Sequence, residues 1–165
     1  MSVVVYYKYS YASKIFTRRI PQNAPEKNSG DGGHFFNTKG EILIVKPDYR
    51  EGWLLPGGTA DEGESPRACG IRETKEELGL DISDIQLVGV YHSGNPDSLK
   101  FIYNGGILTD EKISQIHLQE DELEQYAFLS PTEALPMLSV SLQKSLPASL
   151  EAIKNNTVAY VDNQN

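Results

Sequence analysis

Three glutamates within five residues are the side chains of this sequence best suited to chemistry. If the segment is helical, Glu73, Glu76 and Glu77 fall within roughly 100° of one another, because a helix turns about 100° per residue. Carboxylates on one face repel one another, and Arg72 can offset one of them. A hard divalent cation would neutralise the rest, and oxygen-only ligands favour Mg²⁺, Mn²⁺ or Ca²⁺ over zinc. The alternative is a solvated acidic helix face, the common meaning of a glutamate-rich helix.

The residues around these glutamates predict the helix itself. Ser65 can accept a hydrogen bond from a free backbone N–H at the start, and Pro66 suits the first helical position. Gly79 supplies the left-handed conformation that ends a helix. The side opposite the glutamates is predicted to be an apolar back, formed by Ala68, Ile71 and Leu78.

The glutamates belong to a longer pattern of fixed spacings. Gly58 is followed after five residues by Glu64, and after seven more by the run RETKEELGL that starts at Arg72. This arrangement resembles the Nudix box, G-x5-E-x7-R-E-U-x-E-E-x-G-U, with every fixed Gly, Glu and Arg present. Seven such residues would coincide by chance in roughly one chain per million or fewer. One departure is Thr74, where the pattern has a bulky aliphatic residue, and its β-branched side chain can still pack.

The resemblance to the Nudix family implies a fold, an activity and a set of ligands. The implied fold is α/β, a mixed β-sheet sandwiched between α-helices. The family typically cleaves the diphosphate bridge of a nucleoside diphosphate linked to another group, using Mg²⁺ or alternatively Mn²⁺. Glu73, Glu76 and Glu77 are the expected metal ligands, with the Gly57 carbonyl as a further one, and Glu76 and Glu77 are also expected to be catalytic.

Further roles are expected around this centre. The residues expected to orient the ligands are Gly58, Glu64 and Arg72. Family members often take the base that activates water from a loop outside the box, and the acidic run before residue 125 is the candidate here. Its members Glu120, Asp121 and Glu122 are all candidates for that base, with Glu120 favoured. A solvated charged loop is the alternative.

Substrate contacts are predicted just before the box. Lys46 and Arg50 form a basic pair that could meet phosphate, with solvated side chains as the alternative. A base could stack on an aromatic side chain, although most aromatic residues belong to a core, and the candidates are Tyr49, Trp53, Tyr91, Phe101 and Tyr103. The partner is expected to be a small phosphorylated nucleotide-type molecule, whose identity the sequence leaves open. The alternative functions are an isomerase on the same fold, a catalytically silent nucleotide-binding sensor, and a structural protein with an acidic helix.

Composition bears on the class of partner and on the location of the protein. The chain has 165 residues and a net charge of -8, which argues against a nucleic-acid polymer as partner because such binders need a basic face. A single cysteine, Cys69, permits no intramolecular disulfide and favours a reducing compartment, so a cytoplasmic location is expected. No run approaches the roughly 20 apolar residues of a membrane span. We expect one domain over residues 1–165.

The order of elements predicts a layered α/β domain. Residues 1–30 are interpreted as an N-terminal extension with a tyrosine-rich strand at residues 2–9, which could be an edge strand, a homodimer contact or a substrate wall. A long loop is predicted at residues 17–33, and the segment 100–108 is interpreted as one strand with a glycine bulge. The C-terminal helix is expected to be kinked or divided at Pro147.

Overall fold

The computed structural model of the protein describes residues 30–94 and 97–163. In these residues the strands are β1 (Gly30–Phe36), β2 (Ile42–Pro47), β3 (Gly57–Thr59), β4 (Gln86–Gly94), β5 (Asp97–Ile107), β6 (Leu123–Leu129) and β7 (Ala159–Asn163). The helices are α1 (Pro66–Leu78), α2 (Asp110–Ile113), α3 (Pro131–Ala134) and α4 (Val140–Asn155), with a 3₁₀ turn at Leu135–Met137. The predicted strand at residues 2–9, with its alternative roles, lies outside the described residues.

The strands form one mixed sheet in the order β6–β2–β1–β5–β4–β7, with β3 paired to the start of β1. The pairs β1–β5 and β4–β7 are parallel, whereas β1–β2, β2–β6 and β4–β5 are antiparallel. The register between β1 and β5 shifts as His34 pairs with Asn104 and Phe35 pairs with Gly106. Gly105 is therefore the extra residue, which confirms the predicted bulge.

Helices cover both faces of this sheet because neighbouring residues of a strand point to opposite sides. On one face Leu43 packs in a cluster with Leu78 of α1. On the other face Ile42 and Ile44 pack in a cluster with Leu146 of α4. This arrangement confirms the predicted sheet between helical layers and places α1, with its glutamates, on one defined face.

Helix α1 begins and ends where its sequence predicts. Ser65 accepts a hydrogen bond from the backbone N–H of Ala68, Pro66 is in the first turn, and Gly79 is left-handed at φ 71°. The apolar back is only partly as predicted, because Ala68 is exposed while Glu77 lies on the buried side. Thr74 is also buried, and its hydroxyl donates to the Gly70 carbonyl oxygen at 2.7 Å. This bond satisfies the polar atom that a threonine brings into the core.

Two predicted boundaries are wrong. The loop predicted to reach residue 33 gives way to β1 at Gly30, where Gly30–Gly32 pair with Gly57–Thr59. Glycine is needed in this strand, because a Cβ on Gly33 would meet the Phe35 ring at 2.7 Å. Of the two alternatives predicted at Pro147, the division is wrong, since α4 continues through it from Val140 to Asn155, and the kink stays a prediction. None of the helices in residues 30–94 and 97–163 is both long and apolar enough to cross a membrane.

Candidate active site

The segment at residues 57–64, the box loop, begins with β3 and leads into α1, and two of its glycines contact glutamates of that helix. A Cβ on Gly58 would come within 2.4 Å of the Glu73 carboxylate, so only glycine permits this approach. Gly57 has φ 144°, a conformation that favours glycine. Its backbone N–H donates to Oε2 of Glu77 at 2.7 Å. The loop is thus held directly against two of the predicted metal ligands.

Arg72 is the centre of an ion-pair network on this face. Its Nε and Nη2 donate to the two carboxylate oxygens of Glu64 at 3.0 and 2.9 Å. Its Nη1 donates to Glu73 and Glu76, each at 2.8 Å, and Nη2 also reaches the Thr59 carbonyl oxygen at 3.2 Å. A guanidinium can serve several carboxylates at once because its donors form a rigid planar fork. Arg72 therefore links the loop to two of the three glutamates.

Burial disfavours the charged form of Glu77. Glu77 is 7% exposed, and its pKa is raised to about 8, mainly by burial. The hydrogen bond from Gly57 lowers that pKa, and the charges of Glu73, Glu122 and Glu76 raise it further. Burial likewise raises the pKa of Glu73 against the opposing effect of Arg72. The site therefore favours the binding of an additional positive charge.

The loop between α2 and β6 completes the acidic site. The backbone N–H groups of His117 and Gln119 donate to the carbonyl oxygens of Leu78 and Glu77, at 2.9 and 3.2 Å. These carbonyls end α1 and have no partner within the helix. The bonds hold the loop on the end of α1. The charge of Glu122 from this loop raises the pKa of both Glu73 and Glu77.

The carboxylate oxygens of the three glutamates are the type of ligand that a divalent cation prefers, but in this arrangement they do not enclose a cation. In the described part of the chain, no three His, Cys, Asp or Glu side chains are arranged to hold an ion among them. Arg72 engages one oxygen each of Glu73 and Glu76, and Gly57 engages one oxygen of Glu77. The second oxygens of these carboxylates remain for a hard cation.

A cavity of about 300 Å³ adjoins the box loop. Its lining includes the loop residues Gly57–Thr59, the predicted substrate-binding residue Arg50, and Lys100 of β5. Tyr91 of β4 and Ser145 of α4 lie on its other walls. A substrate in this cavity would therefore contact the segment whose glycines touch Glu73 and Glu77.

The structure brings only some of the predicted site residues to the cavity and to the three glutamates. Lys46 is not among the residues that line the cavity, and its Nζ instead pairs with Glu124 at 2.6 Å. Trp53 also does not line it, because its side chain packs against the cluster under α4. Glu120 is exposed, and its charge is not among those that raise the pKa of Glu77. The roles given to these three residues stay predictions.

The sequence interpretation missed Lys100 and Ser145, and it gave Tyr91 only as one of several aromatic residues on which a base could stack. Tyr91 and Lys100 are direct partners across β4 and β5, so their side chains share one face of the sheet. An alignment of β4 with β5 as an antiparallel pair could have shown this pairing. Ser145 comes from the other helical layer, and no local pattern in the sequence links it to the strands.

Comparisons with known proteins identify the family. The family model of the NUDIX domain matches residues 29–149. The 8-oxo-dGDP phosphatase of Danio rerio is 30% identical over 131 residues, which are 75% of this chain and 38% of that protein. The NAD-capped RNA hydrolase of Pseudomonas aeruginosa is 31% identical over 107 residues, which are 61% and 36% of the two proteins.

A solved structure shows the same fold at lower identity. The ADP-ribose pyrophosphatase from Streptococcus suis has a TM-score of 0.61 and 22% identity, covering 83% of this chain and 99% of that one. The chain spans about a third to three fifths of the length of curated relatives, with coverages of 32% and 59%. These matches confirm the resemblance that the glutamate spacing indicated. The chain belongs to the NUDIX family.

Proposed function

We propose that this protein is a metal-dependent hydrolase that cleaves the diphosphate bridge of a nucleoside diphosphate linked to another group. One observation carries the proposal. Four carboxylates, Glu73, Glu76, Glu77 and Glu122, lie close enough to perturb protonation at the same site. The loop that contacts two of them opens onto a cavity of about 300 Å³. Such a centre suits an anionic substrate only if cations bridge the like charges.

The proposed ligands are Glu73, Glu76 and Glu77, with the carbonyl oxygen of Gly57 as a further donor. When bound, Mg²⁺ or Mn²⁺ would neutralise the diphosphate and lower the pKa of a bound water. Arg72 and Glu64 hold the ligand side chains in position, as supporting partners of metal ligands commonly do. Arg72 also offsets part of the carboxylate charge before the cation binds.

A carboxylate beside the ligands would remove a proton from the attacking water. The water oxygen then forms a bond to one phosphorus, the bridging P–O bond breaks, and the leaving phosphate oxygen takes the electron pair. A base must come within about 3 Å of this water or act through one more. We propose Glu122 for this role, because its charge acts on Glu73 and Glu77. Glu120, which the sequence favoured, stays an untested prediction.

Related proteins support the substrate class. Their names include an 8-oxo-dGDP phosphatase and an ADP-ribose pyrophosphatase, which act on compounds that contain a nucleoside diphosphate. A small nucleotide-type substrate fits both these names and the net charge of -8. The name of the NAD-capped RNA hydrolase makes a capped RNA the informative test of the expectation that no nucleic-acid polymer binds. The cytoplasmic location, the single domain over 1–165 and a homodimer through the N-terminal extension remain proposals.

The test is a substrate panel with Mg²⁺ and with Mn²⁺, measuring release of phosphate-containing products. The panel includes 8-oxo-dGDP, ADP-ribose, nucleotide sugars and a capped RNA. Parent protein should release product only with metal, and Glu77→Gln should lower the rate by several orders of magnitude. Glu62→Gln, at an exposed residue of the preceding loop, is the matched control. Metal-dependent binding without product from any member would favour the catalytically silent sensor instead.

A further inference from the structure

The cavity beside the box loop carries positive charge without a matching negative charge. Arg50 and Lys100 both line it, whereas none of the described lining residues is acidic. Burial lowers the pKa of Lys100, and the charge of Arg50 lowers it further. Within residues 30–94 and 97–163, neither side chain has an ion-pair or hydrogen-bond partner. A partly buried, unpaired ammonium group is costly, so this cavity favours an anion.

Two buried hydroxyl groups face the same space. Tyr91 is 2% exposed and Ser145 is 3% exposed, and both line the cavity. Neither hydroxyl makes a hydrogen bond to another group in the described part of the chain. Among the described residues, Nδ1 of His34 is the only side-chain polar atom that is fully enclosed by protein and lacks a hydrogen-bond partner. The hydroxyls of Tyr91 and Ser145 are therefore not fully enclosed, and they open onto the cavity that these residues line. Buried hydroxyls normally have partners, and here a bound ligand would supply them.

The sheet holds two of these groups, those of Tyr91 and Lys100, side by side. Tyr91 stands opposite Lys100 in the antiparallel pair of β4 and β5, so the hydroxyl and the ammonium project from one face. Ser145 approaches that face from α4, which packs against β4. Arg50 follows β2 and approaches from the side of the box loop. The four groups therefore come from separate elements and surround the cavity.

We propose that Lys100, Arg50, Tyr91 and Ser145 form a binding site for a phosphate group of the substrate, which the side chains bind directly and without metal. The ammonium and guanidinium groups supply the positive charge, and all four side chains can donate hydrogen bonds to phosphate oxygens. That this phosphate belongs to a hydrolysed substrate rests on the proposed function. The site itself needs only the anion.

This site also bears on how the substrate is selected. Tyr91 is the one aromatic side chain among the described residues that line the cavity. At 2% exposure it offers no open ring face on which a base could stack. Recognition in this cavity therefore acts on the phosphate and does not use stacking on Tyr91.

Inorganic phosphate binding in the presence of EDTA tests the site without the reaction. The Kd is measured by ³¹P NMR titration of the full chain. Lys100→Met keeps the aliphatic stem but removes the charge and should weaken binding by about 10- to 100-fold. Tyr91→Phe removes one hydroxyl and should weaken it by about 3- to 10-fold. Lys39→Met, at an exposed turn residue, is the control and should bind like the parent.

Failure of the site and failure of the proposed function give different results. Absence of phosphate binding by the parent in EDTA, or unchanged affinity in Lys100→Met, would overturn the site even if the protein hydrolyses substrates. Phosphate binding that depends on Lys100, in a protein that hydrolyses nothing, would support the site and count against the hydrolase. If circular dichroism shows that Lys100→Met is unfolded, Arg50→Gln at the exposed position replaces it, with the same expected direction.

Discussion

The backbone N–H of Gly57 donates a 2.7 Å hydrogen bond to Oε2 of Glu77. This bond joins the loop before α1 to the last turn of that helix. Burial raises the pKa of Glu77 more than the bond lowers it. The carboxyl group is therefore fixed in position, while its burial favours the protonated form in the absence of a cation.

The pH dependence of stability should show this state of Glu77 in the metal-free protein. The pKa is about 8 in the fold against an ordinary 4.5, so between these values the folded state keeps a proton that the unfolded state has lost. The free energy of unfolding should therefore fall as pH rises through this window. Glu77→Gln cannot ionise and should be more stable than the parent above pH 8, by on the order of 2–4 kcal/mol.

Thermal melts in EDTA at several pH values check this prediction. The advantage of Glu77→Gln should vanish near pH 4, where both states of the parent are protonated, and saturating Mg²⁺ should reduce it at pH 8. The control is Glu62→Gln at an exposed residue. A difference between Glu77→Gln and the parent that stays constant with pH would contradict the assignment.

Arg72 and Glu64 should behave as one unit. Arg72 donates to both oxygens of the Glu64 carboxylate, and a charged hydrogen bond of this kind contributes about 1.5–3 kcal/mol. Arg72→Ala should lower the melting temperature and the Mg²⁺ affinity together. A double-mutant cycle with Glu64→Ala, read by chemical denaturation, measures the coupling. Unaltered stability with weaker substrate binding would instead place Arg72 on the substrate.

Gly58→Ala should damage the site by steric conflict. Its Cβ would lie 2.4 Å from the Glu73 carboxylate, so the loop or the carboxylate must move. We expect a loss of about 1–3 kcal/mol in stability together with loss of metal-dependent activity. Gly89→Ala, whose Cβ would meet its nearest neighbour at an ordinary 3.5 Å, is the control.

A second variant separates the two effects at Gly58. Combining Gly58→Ala with Glu73→Ala removes the carboxylate that causes the conflict. Stability measured by denaturation should recover in this double variant, whereas activity should not, because a ligand is gone. Recovery of neither would show that the close approach to Glu73 is not the cause.

Of the substitutions in the loop between α2 and β6, Glu122→Gln should cause the largest fall in kcat. A general base contributes about 10²–10⁴ in rate, so kcat should fall by this factor with KM nearly unchanged. Its pH–rate profile should also lose the acidic limb. Glu120→Gln and Asp121→Asn, at exposed neighbours, are the matched controls. A large loss in Glu120→Gln alone would restore the prediction made from sequence.

The sequence by itself determined the features that depend on local chain geometry. Ser65, Pro66 and Gly79 set the ends of α1, because caps act within one turn of a helix. The spacing of Glu73 and Glu76 placed them on one face, since helical periodicity is local. The longer pattern of spacings from Gly58 through Glu64 to the run that starts at Arg72 indicated the NUDIX family, which the match of the family model confirms.

Only the tertiary structure decided which charges meet and which are buried. Glu77 lies in the interior although it is adjacent to exposed Glu76, because burial depends on how α1 packs on the sheet. The charge of Glu122 raises the pKa of Glu77 because hydrogen bonds to the last carbonyls of α1 hold the loop of Glu122 beside that helix. Ser145 joins Lys100 and Tyr91 in one cavity because α4 packs against β4. Such long-range pairings depend on the whole core, and no short stretch of sequence encodes them.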